Sequence, residues 1–161
     1  MVVIHGTKKL LDRIPTPTTD IDQPTGSLGS WYATVLFWKP QVALLIDEYT
    51  YLPLLMPLAP AATLPQRFPD ALETILVAHG APAPFIQAVA ATGREPVLAR
   101  TANRRAIGVM NEFAHLATHH HAAGEVDLVT LAFHLARTPV GPLFTTHVSP
   151  DRALTALTHA S

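Results

Sequence analysis

Apolar and polar positions recur along this chain with two periods, and the change from one to the other marks out its elements. Residues 2–5 (Val-Val-Ile-His) read as a first strand, and 7–14 as a short amphipathic helix with Leu10, Leu11 and Ile14 turned inward. Residues 15–30 carry Pro, Thr, Asp and Gly without an apolar period, which predicts a surface loop. Residues 31–38 and 41–47 are apolar on both faces at their centres and predict a covered central hairpin turning at Lys39-Pro40. A further strand over 50–58 is confined to an edge, or broken, by Pro53 and Pro57.

Beyond a proline-punctuated connection over 60–69, residues 70–78 place Leu72, Ile75 and Leu76 on one helical face, with Gly80 as terminator. A second helix is expected over 84–91, ending near Gly93. Residues 97–101 follow Pro96 as a short strand and run straight into the longest helix, 104–121, with Asn103 suited to its N-cap. On that helix Ala106, Val109, Met110, Phe113, Leu116 and Ala117 share one broad face. Arg104, Gly108, Asn111 and His115 fall on the opposite line, flanked by Glu112 and His119.

Residues 127–137 fit both periods. The alanine content and a cap at Asp127 favour a helix. Residues 138–146 read as a loop, and Ser149 or Asp151 opens a last helix with Pro150 near its first turn. The sum is an α+β fold in a single domain, residues 1–161. It has a small, mainly antiparallel sheet with a central hairpin, packed by about four to six helices.

Composition changes this picture in two places. Charged residues are 14% of the chain, against roughly 25% in an average soluble domain, while 48% are hydrophobic. The surface therefore carries extra apolar area, compatible with a homo-oligomer or a protein partner. A formal charge of −1 excludes a strongly basic nucleic-acid binder and disfavours nucleic acid as partner, but leaves a local patch open. Four of the eleven Lys/Arg residues, Arg94, Arg100, Arg104 and Arg105, fall within one short span. The absence of cysteine removes disulfide and thiolate chemistry and fits a reducing cytoplasm. No apolar run approaches the ~18 residues of a membrane span, and the first ten residues lack a signal-peptide core. A cytoplasmic protein without a membrane partner or a cofactor is the expectation.

The candidate chemistry gathers at the start of the longest helix. Arg104 and Arg105 lie in its first turn, where the macrodipole disfavours positive charge by some tenths of a kcal/mol. Guanidinium forks there form an anion site for phosphate or carboxylate, or else pair with an internal carboxylate such as Asp47 or Glu48. Gly108, costing about 1 kcal/mol against alanine in a helix, leaves a gap between Arg104 and Asn111. The candidate recognition surface is Arg100, Asn103, Arg104, Arg105 and Asn111, with Lys8 and Lys9 as extensions. A non-catalytic binding module for an anionic ligand or an unknown protein partner follows from it.

Several stretches, in order, resemble an uncharacterised bacterial family, a domain of unknown function. They are His5-x-Thr7-Lys8-Lys9-Leu10-Leu11, Leu28-Gly29-x-Trp31-Tyr32-Ala33, Thr101-x-Asn103-Arg104-x-x-x-Gly108-x-Met110-Asn111, Thr138-Pro139-x-Gly141-Pro142-Leu143 and Ser149-Pro150-x-x-Ala153-Leu154. Relatives often carry Ser where this chain has Arg105, so the patch here is more basic than the family pattern. The resemblance implies a shared fold and no mechanism.

His5-Gly6-Thr7 after the first strand is also similar to the dinucleotide motif of ADP-ribosyltransferases. That likeness implies an alternative, a nucleotide- or dinucleotide-using enzyme with His5, Tyr32 as the aromatic, and Glu112 or Glu125 as the acid. A weaker metal alternative rests on Glu112, His115 and His119, at i, i+3 and i+7 of one helix. Its competing explanation is that histidines suit a helix C-terminus. No metal is expected, and no serine stands in a nucleophile elbow.

Overall fold

The computed structural model describes residues 2–15, 18, 28–92, 96–101, 103–125 and 127–159. Among them the chain forms β1 (Val3–Gly6), a single helical turn α1 (Lys8–Leu11), β2 (Ser30–Leu36), β3 (Val42–Asp47) and β4 (Pro53–Pro57). Then follow α2 (Leu64–Ala78), α3 (Ala83–Thr92), β5 (Val97–Arg100), α4 (Arg104–Ala122), α5 (Leu128–Ala136) and α6 (Pro150–His159). The architecture is α+β: one mixed sheet in the order β4-β3-β2-β1-β5 with six helices. Strands β2, β3 and β4 form an antiparallel meander, and β1 lies parallel to both β2 and β5.

Register decides which side chains share a face, because successive residues of a strand point to opposite sides. His5 stands opposite Tyr32 and Ala99, whereas Gly6 stands opposite Ala33 and Arg100. On the Gly6 face α1 packs so closely that Leu11 Cδ2 lies 2.8 Å from where a Cβ on Gly6 would be. That approach accounts for the glycine. The same face buries Trp31, whose ring meets Phe68 of α2 edge-on at 5.2 Å and whose Nε1 donates to the Leu28 carbonyl. Helix α4 covers the Tyr32 face, so the sheet is sandwiched between two helical layers.

Helix α4 lies along β2 and is held at both ends. Asn103 Nδ2 donates to the Tyr32 hydroxyl at the start of the strand. Beyond its other end, Trp38 Nε1 donates to Thr118 Oγ1 and the Trp38 ring stacks on His121 at 4.2 Å. Helix rise of about 1.5 Å and strand rise of about 3.3 Å per residue give both routes a length of about 20 Å, so the two anchors are geometrically matched. Its buried face is Ala106, Val109, Met110, Phe113 and Ala117, with Leu116 half-buried. Arg104, Gly108, Asn111, Glu112, His115 and His119 are exposed.

Most expected elements are present, with two differences. The first helix is one turn rather than the span 7–14, although Leu10 and Ile14 are buried as expected. Helix α2 starts at Leu64, six residues before the expected start, with Pro65 in its first turn and Pro69 inside it. Pro69 removes only the bond to the Pro65 carbonyl, and buried Leu64 and Phe68 hold the turn. Residues 128–136 are helical, and Asp127 caps them by accepting the Thr130 amide. Strand β4 is the sheet edge that its two prolines predicted. Most of the expected 15–30 loop, with Gly93 and Arg94, lies outside the described residues. No helix among the described residues is long and apolar enough to cross a membrane.

Candidate functional site

The turn after β3 builds one wall of the candidate site. Asp47 is fully buried, and its Oδ2 accepts the Thr50 amide at 2.8 Å, the Thr50 hydroxyl at 2.9 Å and the Tyr49 amide at 3.0 Å. Its Oδ1 has no partner among the described residues. Burial pushes the carboxyl up to about 6, against the opposing pull of the Thr50 and Tyr49 donors. Tyr51 closes the turn with a left-handed φ of 58°, uncommon for a bulky residue. Burial raises its phenol, and the Arg105 guanidinium beside it pulls the other way.

Tyr32 is the hub between this turn and α4. Its hydroxyl donates to Glu48 Oε1 at 3.1 Å and accepts from Asn103 Nδ2 at 3.3 Å, while its ring stacks on His5 with centroids 4.9 Å apart. Burial raises the phenol; the Asn103 bond opposes this and the Glu48 charge adds to it. Asn103 uses its other amide atom, Oδ1, to accept the Ala106 amide, completing the N-cap. The structure therefore brings His5, Tyr32, Glu48 and Asn103 into contact and sets Arg105 alongside through Tyr51. Only 5% of Tyr32 is exposed, so its role is to position Asn103 and Glu48 rather than to offer a ring face.

Asp47 and Glu48 are not the partners of the paired arginines. Among the described residues no ion pair joins Arg104 or Arg105 to either carboxylate: Asp47 is engaged by its own turn and Glu48 by Tyr32. Both arginines are exposed. A Cβ on Gly108 would meet nothing within 4 Å among the described residues, so no described element fills the expected gap.

Lys8 and Arg100 occupy different ground. The register sets Arg100 beside Gly6, on the face away from His5, and both residues line a cleft of about 440 Å³ against α1. Lys9 is turned toward the far end of β2, with Nζ 5.8 Å from the Phe37 ring centroid. Asn111 lies two turns along α4 from the arginines. Glu125 stands beyond the C-terminus of α4, about 28 Å from its start at the usual helical rise, and its carboxylate accepts the Asp127 amide. It cannot share a pocket with His5 and Tyr32; the glutamate beside them is Glu48.

The histidines at the end of α4 have packing partners. His121 stacks on Trp38, and His120 stacks on His134 of α5 at 5.0 Å. No group of three His, Asp or Glu side chains among the described residues is placed to hold a metal ion, and Glu112, His115 and His119 form no such group. The sequence reading also missed Arg67, which clamps the end of β4 to the start of α2 by donating to the Pro57, Leu58 and Pro60 carbonyls and to Thr63 Oγ1. Only its place between prolines hinted at it.

A family model described as "Domain of unknown function (DUF6933)" matches residues 3–153. The chain belongs to that family. Comparison with curated proteins and with solved structures finds no match.

Proposed function

For this member of the family, we propose a non-catalytic binding module whose recognition surface is the exposed start of α4. The observation that carries the reading is the pair Arg104 and Arg105: both exposed, both in a first helical turn that disfavours cations, and neither paired with a carboxylate among the described residues. An external anion, on a protein partner or a ligand, offsets that cost through charge-assisted bonds. Asn103 shapes the surface, Asn111 extends it along the helix, and open space above Gly108 lets a partner approach the backbone. The absence of cysteine suits a cytoplasmic setting. The test is the affinity of a fluorescein-labelled hexaglutamate peptide and of pyrophosphate for the wild type and the Arg104→Ala, Arg105→Ala double variant. Loss of binding with the melting temperature nearly unchanged supports the reading; a large loss of stability shows the arginines to be structural.

The enzyme alternative is favoured by one observation, the contact of His5, Tyr32 and Glu48. It predicts turnover of NAD or a nucleoside triphosphate by the wild type and its loss in Glu48→Gln. Absence of turnover and of any thermal shift removes it.

A further inference from the structure

We propose a second site: the cleft between α1 and the end of β5 binds a small phosphate monoester carried on a hydroxylated body, as in sugar or nucleoside phosphates. Three independent features meet there. The first is topological. After β1 the chain passes into α1 on the Gly6 face of the sheet, whereas after β5 it passes into α4 on the Tyr32 face. Adjacent parallel strands whose outgoing connections leave toward opposite faces open a crevice at their carboxyl ends, where ligands of such sheets bind. Strands β1 and β5 are that pair.

The second feature is volume and charge. The cleft measures about 440 Å³, within the roughly 300–1,000 Å³ range of small-molecule sites, and is lined by Gly6, Lys8, Leu11, Asp12, Arg100 and Thr101, among others. Lys8 and Arg100 form no ion pair among the described residues, so two cations and one carboxylate, Asp12, face the cleft. Arg100 offers a planar fork and Lys8 a point charge, a donor set matched to phosphoryl oxygens. Asp12 on the same wall is the wrong sign for a polyanion but accepts hydroxyl hydrogens. It restricts the ligand to one phosphoryl group on a hydroxylated frame.

The third feature is Thr101. Its amide donates to the Gly6 carbonyl at 3.2 Å, fixing it just past the strand ends. Its Oγ1 is buried and has no hydrogen-bond partner among the described residues. A buried hydroxyl without a partner is rare in a folded protein, and the residue that carries this one lines the cleft. Turned toward the cleft, it donates to a phosphoryl oxygen held beside Arg100.

This site lies on the opposite face from the His5 and Tyr32 cluster, so it stands or falls separately from the α4 surface. The experiment is calorimetric titration of the full chain with ribose 5-phosphate, adenosine 5′-monophosphate, inorganic phosphate and ribose. The two phosphate esters bind, ribose does not, and inorganic phosphate binds more weakly than the esters. Arg100→Ala weakens the esters by about tenfold or more, and Thr101→Val by a smaller factor, with melting temperatures close to wild type. Lys8→Ala repeats the effect should Arg100→Ala misfold. The Arg104→Ala, Arg105→Ala variant binds the esters normally. No binding of either ester, ribose binding as tightly as its phosphate, or esters indifferent to both Arg100→Ala and Lys8→Ala overturns the proposal.

Discussion

Asn103 divides its side-chain amide between two elements: Oδ1 accepts the Ala106 amide that opens α4, and Nδ2 donates to the Tyr32 hydroxyl at 3.3 Å in the sheet. The helix start is thereby fixed to one strand position, and with it the direction of the two arginines that follow. Tyr32→Phe deletes the hydroxyl from both the Asn103 and the Glu48 bond. It should lower stability by about 1–2 kcal/mol, and Asn103→Ala should cost a similar amount. Urea unfolding of the two single variants and the double variant should show a coupling above about 0.5 kcal/mol. Additive effects would mean that the two residues act independently.

Asp47 makes stability fall as pH rises through its titration. Its folded carboxyl is raised to about 6, from the 3.8 of a free aspartate. A raised carboxyl makes the folded state bind the proton more tightly, so its contribution is complete below about pH 4 and is lost as pH rises through 6. The difference is on the order of 2–3 kcal/mol. Across that window the wild type should lose stability relative to Asp47→Asn, which has no titrating group at this position. Parallel stability curves for the two proteins would contradict the account.

Arg67 joins two elements through four hydrogen bonds. Arg67→Ala should destabilise the fold by about 2–3 kcal/mol, since several carbonyl acceptors lose a charged donor together. Arg67→Lys should recover only part of this, because an ammonium cannot span the same acceptors with a planar fork. Thermal unfolding ranks the three proteins, and a fully rescuing lysine would refute the clamp.

Gly108 offers a variant of the opposite sign. No other described element lies within 4 Å of an added Cβ, so Gly108→Ala should raise stability by up to about 1 kcal/mol. The same methyl group should weaken binding of a partner that approaches the α4 backbone. Stability gained with affinity unchanged would place the contact elsewhere on the helix.

Local physics explains what was legible in the sequence. The α4 face, the caps at Asn103 and Asp127, the β2–β3 hairpin and the proline-limited edge of β4 each follow from spacing or a single side chain. The exposure of Arg104 and Arg105 was one of two readings, and only the tertiary placement of Glu48 on Tyr32 and of Asp47 in its own turn separates them. The division of Arg100 and Lys8 from the α4 surface was not legible, because it depends on the parallel register of β1 and β5 across 94 residues of chain (from His5 to Ala99). Arg67 was hidden for a related reason: its acceptors are loop carbonyls, which carry no side-chain signature.

The central claim is that the start of α4 is an external anion site. Its most direct measurement is the salt dependence of hexaglutamate binding, taken for the wild type and for the Arg104→Ala, Arg105→Ala variant between about 50 and 200 mM salt, a range over which exposed charge pairs are progressively screened. The wild type should bind, and weaken steeply as salt rises, while the variant, equally stable, shows little binding and little slope. Equal affinity and equal slope in the two proteins would contradict the claim.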